Sequence, residues 1–449
     1  MTEPGSTSRG STAATREAQV SAEAAAASAG TVAKMSVPTL TGMVVGSMVG
    51  AGVFSLPARF GVATGILGSL IAWAIAGVGM LMLAFVFQNL AIRKPELDSG
   101  VFIYAKAGFG DYAGFNSAIG FWASAVAGNT FYWVFMSATV GTFFDAFGEG
   151  ATVLAVAVST VGVWLFHFLI AKGVRDAAVI NRIVTVFKIL PIFVFIVVLF
   201  VNFDAGVFSD NWTAEGYGDL GNLNEQVRNT MLITTFVFIG IEGASVYSRY
   251  AKRREDVGKA TVMGFLSVLS IFALVTLSSY SVVPQPELAK TRQPSMIGVF
   301  QSVVGHWGEV FISVAVIVSV LGAYLAWTLV TMLPRGHPGF WGGVIAAAYA
   351  LKLGLTGETY EEVPAGTRRK ETIVAGASTA YTFFLFDAAG LKFVLLMTII
   401  LAPATLLYVK ARSEHGRRLF TPTELGLFLL ILAGGVTGAV SLWTGAITI

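Results

Sequence analysis

Apolar segments of about twenty residues, long enough to cross a bilayer, recur along this chain from residue 37 to residue 443. In hydrocarbon every backbone N–H and C=O must be paired within the protein, so such a pattern restricts the fold to a bundle of membrane helices. The segments are Val37–Ala63, Ile66–Ile92, Asn116–Phe143, Ala151–Ala171, Ile180–Phe203, Arg228–Tyr247, Ala260–Val283, Trp307–Leu333, Thr372–Phe386, Leu391–Val409 and Leu425–Trp443. A further apolar stretch, Phe340–Leu355, is short for a crossing. The expected class is therefore an all-α polytopic membrane protein of about 11 to 12 spans.

Composition agrees. Only 12% of residues are charged and 55% are hydrophobic. A soluble domain is about one quarter charged, so the missing charge marks surface that faces lipid. The chain has no cysteine, which excludes disulfides and thiolate metal sites. Its four histidines, His167, His306, His337 and His415, are too scattered for a metal cluster, and no metal or cofactor is expected. Residues 1–35 are rich in Ala, Ser, Thr, Gly and Glu without an apolar core, so they read as a disordered tail and not as a signal peptide.

Loop charge orients the bundle, because Lys and Arg are retained on the cytoplasmic side. One set of loops carries Arg93, Lys94 and Lys106, then Lys172, Arg175 and Arg182, then Arg249, Lys252, Arg253, Arg254 and Lys259. The opposite loop, 204–226, has five acids and no Lys or Arg, and 284–306 has only Lys290 and Arg292. This places the N-terminus in the cytoplasm. The net charge of +3 sits in these loops and does not form a nucleic-acid patch. If Phe340–Leu355 crossed, Arg368, Arg369, Lys370 and the group Lys410, Arg412, Arg417 and Arg418 would lie outside. A short re-entrant helix keeps both groups inside, giving eleven spans. The chain then divides into a tail (1–35), spans 1 to 8 (36–333), an irregular segment with a short helix (334–371) and C-terminal spans (372–449).

Two spans are interrupted. The first holds Gly42, Gly46, Gly50 and Gly52, and the sixth reads Phe236-Val-Phe-Ile-Gly-Ile-Glu-Gly-Ala-Ser245. Glycines propagate helices poorly, and backbone freed at such a break is tolerated only where it lines a cavity. Gly42, Gly46 and Gly50 also have the spacing of close helix packing, so the first break alone leaves two readings open. Interruptions at corresponding places in two halves point to a substrate site near the midplane. Glu242 is the acid deepest in any span, which makes it a coupling or gating candidate. Lys188, two turns into the fifth span, either snorkels to the interface or replaces a coupling cation. Trp327 could hold a substrate cation or simply pack. Asp111, in Gly108-Phe-Gly-Asp111, resembles an intramembrane protease motif, but no span has the second Asp that chemistry needs. A Walker A loop and an HExxH motif are absent, so no enzyme is expected.

The strings Gly46-Ser-Met-Val-Gly-Ala-Gly-Val-Phe-Ser-Leu-Pro57, Phe238-Ile-Gly-Ile-Glu-Gly-Ala-Ser245, Gly322-Ala-Tyr-Leu-Ala-Trp-Thr328 and Leu351-Lys-Leu through Tyr360 resemble the amino acid–polyamine–organocation superfamily. Within it the chain is most like the basic amino acid/polyamine antiporters, and among these the arginine/ornithine antiporters. The resemblance implies a 5+5 inverted-repeat core with broken helices in spans 1 and 6. It implies substrate contacts at Met48, Gly50, Ala51, Gly52, Asn129, Phe236, Ile239 and Trp327, with Glu242 and Lys188 in coupling or gating. Ala51 stands where some relatives have Ser, and Phe236 where some have Trp. The chain departs from the family at Pro334–Gly343, where the ninth span and the start of the tenth have no counterpart.

The resemblance thus implies a cell-membrane secondary transporter exchanging arginine or lysine for ornithine or a decarboxylation product by alternating access. Proton-coupled lysine or amino acid uptake is the alternative, and a non-transporting sensor or degraded family member is a reading of another class. The implied partners are an amino acid substrate, the bilayer, protons and a second copy in a homodimer.

Overall fold

The structure is a computed structural model that describes residues 36–97, 101–171, 177–213, 220–238, 240, 254–332 and 340–447. The described part is helical, as the apolar segments require. The first span is built as two pieces. Helix α1 (Val37–Met48) starts with a proline in its first turn and ends where Val49 and Gly50 become extended. A 3₁₀ turn (Ala51–Ser55) then leads into α2 (Leu56–Ala63), and the two halves are bent by 51°.

The chain continues through α3 (Ile66–Arg93), α4 (Val101–Phe109), α5 (Asp111–Val140), α6 (Val153–Ala171) and α7 (Ala177–Val201). After the short α8 (Ala205–Asp210), α9 (Leu223–Val237) begins with a capping box in which Asn222 and Glu225 pair with each other's backbone. Then come α10 (Arg254–Ser279), two short helices α11 (Gln285–Lys290) and α12 (Ser295–Val304), α13 (His306–Met332) and α14 (Phe340–Thr356). The chain closes with α15 (Ala365–Glu414) and α16 (Pro422–Trp443). Among the described residues six helices are long and apolar enough to cross a membrane, or seven with the bent pair. Helix α15 contains two of the spans read from the sequence, joined at Gly390, whose φ of 77° takes it out of helix geometry. The first of these begins at Ala365, earlier than Thr372, because the basic residues 368–370 form its first turns.

Helix α3 sets the direction of the bundle. Its start lies near Thr64, whose carbonyl accepts from Tyr280 Oη at the end of α10, and it ends at Arg93. We call the Arg93 side the basic end. There Arg93 forms a two-pronged ion pair with Glu371 (2.8 and 3.1 Å), and Tyr360 Oη donates to the same carboxylate. Nearby, Lys94 pairs with Glu358 at 2.7 Å; that hydrogen bond holds the Glu358 carboxyl below its ordinary pKa and the Lys94 ammonium above its own. Arg412 reaches Asp111 at 2.6 Å on this same side.

These contacts fix the path of α14. A Cβ on Gly343 would stand 3.3 Å from Leu83, in the middle third of α3, whereas the far end of α14 leads to Glu358 beside Lys94. Helix α14 therefore runs only from mid-bundle to the basic end. Its length, ~25 Å at 1.5 Å per residue, falls short of a bilayer core of ~30 Å. Arg368 caps its C-terminus by donating to the carbonyls of Gly354 and Leu355. Arg368 at the end of α14 and Arg412 beside Asp111 both lie on the Arg93 side, the arrangement that the charge-based reading expects of a short α14.

Because the natural chain lacks cysteine, single introduced cysteines report topology without background. Glu96→Cys, Glu362→Cys and Arg417→Cys should react with an impermeant maleimide from one side of the membrane and Lys290→Cys from the other. Labelling of Glu362→Cys from the Lys290 side would mean that α14 crosses.

Candidate functional site

The two broken spans meet. Helix α1 arrives from the basic end and α9 from the opposite end, and each stops in the interior. At the junction a Cβ on Gly52 would lie 3.0 Å from Val237 Cγ1 and 3.3 Å from Phe236 Cε1. Only a residue without a side chain allows the first break to approach the last turn of α9 this closely. Beyond Val237 the chain leaves the helix at Phe238, and Gly240 takes a φ of 113°, which other residues rarely adopt. Met48 and Ala51 are buried, while Phe236 is 43% exposed and presents its ring edge to Phe131 of α5 at 5.5 Å. The close-packing reading fails at Gly42, where an added Cβ would meet nothing within 4 Å.

Helix α5 supplies a second wall. Asn129 Nδ2 donates to Thr328 Oγ1 of α13 at 3.4 Å, and its Oδ1 is buried without a partner. Trp327, the residue before Thr328, is half-buried. Three residues after Asn129, on the same helix face, Tyr132 places its hydroxyl 3.4 Å from where a Gly50 Cβ would stand. Sequence reasoning missed Tyr132; its signal was the three-residue offset from Asn129. The structure thus brings Gly50, Gly52, Phe236 and Tyr132 together at the break, and Asn129 and Thr328 at the α5–α13 contact, with Trp327 one position before Thr328 on α13. Ile239 and Glu242 lie outside the described residues.

Lys188 does not snorkel: it is 2% exposed. Val184, one turn earlier, is pressed against Gly322 of α13, so Lys188 faces the bundle interior on that side. Asp111, the protease-like aspartate, pairs with Lys106 and Arg412 at the basic end, and the carboxylate beside it, Glu424, accepts from the backbone N–H groups of Tyr112 and Thr421. Among the described residues no group of three or more His, Asp or Glu could hold a metal.

At the end opposite Arg93 polar contacts tie the connecting segments together. Gln285 at the start of α11 donates through its side chain to the Gly61 carbonyl, and through its backbone N–H to Asn211 Oδ1 at 2.7 Å. Asn211 Nδ2 donates to the carbonyls of Tyr280 and Val283. The Ala58 N–H donates to Ser295 Oγ at 3.1 Å, tying α2 to α12. Arg292 between them donates to the Ala138, Gly141 and Gly148 carbonyls around the C-terminus of α5. The segment 284–295 is therefore fastened both to the half-helix α2 and to α5.

A membrane helix bundle in which two helices reach one interior point from opposite ends and stop there fits the architecture of a secondary transporter. The sequence model described as "Amino acid permease" matches residues 35–334, and the chain belongs to that family. It is 42% identical to an arginine/ornithine antiporter of Pseudomonas aeruginosa, over 93% of this chain and 98% of that protein. It is 35% identical to an L-lysine transport protein of Corynebacterium glutamicum, over 97% of this chain and the whole of that one. A putative arginine/ornithine antiporter of Escherichia coli is 38% identical over 85% of this chain. The family is one of transporters and not of enzymes. The alignment with the Pseudomonas protein spans 480 positions, more than this chain has residues, so that relative carries residues this chain lacks. The family match ends at residue 334, where the sequence departs from the expected pattern.

Gly52→Ala should lower the thermal midpoint of the detergent-solubilised protein, because overpacking a close contact costs about 1–3 kcal/mol. Gly50→Ala, with an ordinary 3.4 Å contact, should leave the midpoint nearly unchanged. Equal responses would contradict the tight approach of the first break to α9.

Proposed function

We propose that this chain is a basic amino acid exchanger of the cell membrane, moving arginine or lysine against ornithine or a similar amino acid by alternating access. The observation that carries this is the meeting of the two breaks at Gly52 and Phe236, in a chain aligned nearly end to end with an arginine/ornithine antiporter. Met48, Gly50, Ala51 and Gly52, with Phe236 and Ile239, hold the amino acid's backbone end. Asn129 and Trp327 hold its side chain, the tryptophan by cation–π attraction worth ~2 kcal/mol when desolvated. The opposite direction of the two breaks supports an inverted-repeat core. The basic end is cytoplasmic, with the N-terminus on that side, by the retention of Lys and Arg. Helix α14 is then what remains around the tenth span, and the end held by 284–295 is the external one.

Proteoliposomes loaded with ornithine should take up labelled arginine, whereas empty ones should not. Trp327→Ala should raise the arginine KM about tenfold or more, which is the loss of ~2 kcal/mol of binding. Unchanged arginine exchange in Trp327→Ala would exclude the aromatic clamp.

A second reading rests on Lys188 and the lysine-transport relative. A buried ammonium can take the place of a coupling cation, with Glu242 as the titrating carboxylate, and transport is then proton-coupled uptake without exchange. That reading predicts lysine uptake into empty vesicles under a pH gradient, abolished in Glu242→Gln. No gradient-driven uptake would leave exchange alone standing.

A further inference from the structure

We infer that Tyr132 is the specificity residue for the substrate carboxylate, so that the site takes α-amino acids on both strokes and discriminates against their decarboxylated amines. The inference rests on the proposed transport function and on the geometry of one phenol.

Tyr132 is on α5, and its hydroxyl lies 3.4 Å from the position a Gly50 Cβ would occupy. Gly50 is the extended residue between α1 and the 3₁₀ turn. The hydroxyl is therefore aimed at the backbone of the break, across the space that the missing Gly50 side chain leaves open. Among the described residues no protein group bonds it, and Tyr132 is half-buried, so the hydroxyl is reachable from the space at the break. Other interior tyrosine hydroxyls are used in packing and in fixed bonds: Tyr280 donates to the Thr64 carbonyl and Tyr112 bonds Thr405, while the Tyr381 and Tyr408 hydroxyls are buried without a partner, Tyr381 against Gly79 and Tyr408 against the Tyr112 ring. The Tyr132 hydroxyl differs in facing the break, where a ligand oxygen can reach it.

The chemistry of that partner follows from the surroundings. The ring is fixed beside Phe131, which in turn meets Phe236, so apolar walls flank the hydroxyl. A phenol O–H can donate, and a donor at an otherwise uncharged position suits an anionic oxygen, where a hydrogen bond is about twice as strong as to a neutral one. One turn away on the same face, toward the basic end, Asn129 offers an unpaired Oδ1, an acceptor suited to an ammonium or guanidinium. The face of α5 thus carries a donor at the break and an acceptor about 4.5 Å along the axis. That polarity matches an amino acid lying with its carboxylate at Tyr132 and its cationic side chain toward Asn129. An amine lacking the carboxylate would leave the phenol unpaired, and a site built to bond a group rejects the analogue without it.

The test compares wild type and Tyr132→Phe for labelled arginine, with unlabelled arginine and agmatine (arginine without its carboxylate) as competitors. Tyr132→Phe deletes only the hydroxyl, and a size-exclusion profile matching wild type checks that it folds. The variant should raise the arginine KM about tenfold, the worth of one hydrogen bond to a charged group, with the maximal rate retained. Inhibition by agmatine should stay within about twofold of wild type, well inside the effect of one such bond. An unchanged arginine KM, or equal losses for arginine and agmatine, would overturn the assignment. Equilibrium arginine binding to the purified protein reads the same ratio without flux. A wild type that binds arginine but does not exchange it refutes the transport function while leaving this comparison decisive, and a wild type that binds no arginine refutes both.

Discussion

The contact that organises this molecule is the approach of the first span's break to the last turn of α9, with no atom of side chain at Gly52 to keep them apart. Both helices end in the interior, where an unpaired backbone group is expensive unless something lines up to use it. Bringing the two ends to one place concentrates that cost at a single point. The remaining helices are arranged around that point, with α5 beside it and the segment 284–295 fastened to α2 and α5 at one end. Phe238, fully buried, packs edge-on against Trp73 and in tilted contact with Phe265 and Phe272, which anchors the end of α9 against α3 and α10.

The helices were readable in the sequence because a crossing segment must be long and apolar, and the breaks because they put glycine where a helix should continue. The orientation of the late segments was readable from charge, since Arg93 with Glu371 and Arg412 with Asp111 bring the basic groups to one end. What could not be read were side-chain contacts between distant helices. The fastening of 284–295 depends on Asn211, Gln285 and Ser295, polar residues with no periodic pattern whose partners are remote in sequence. Tyr132 was hidden among twelve tyrosines until the fold placed it opposite Gly50. The burial of Lys188 was equally undetermined, because periodicity puts a residue on a face without saying what covers that face.

The shortened region after Met332 shows how a bundle absorbs a loss. Helix α14 begins at the level of Leu83 and is held at its far end by polar contacts: Lys94 with Glu358, Arg368 on the Gly354 and Leu355 carbonyls, and the Arg93–Glu371–Tyr360 group beside it. Arg93 also lies over the Tyr360 ring at 4.7 Å. Single exposed ion pairs contribute little, but a network of this kind, partly buried and with a two-pronged arginine, can hold a half-span in register. The proposed site lies on spans 1, 3, 6 and 8, which precede the shortened region.

The central claim is that the two breaks form one amino acid site. A density map of the purified protein in lipid nanodiscs with saturating arginine tests it most directly. The expected result is ligand density between Gly50–Gly52 and Phe236, with its carboxylate within hydrogen-bonding distance of Tyr132. Ligand density elsewhere in the bundle, or an empty junction at saturating arginine, would contradict it.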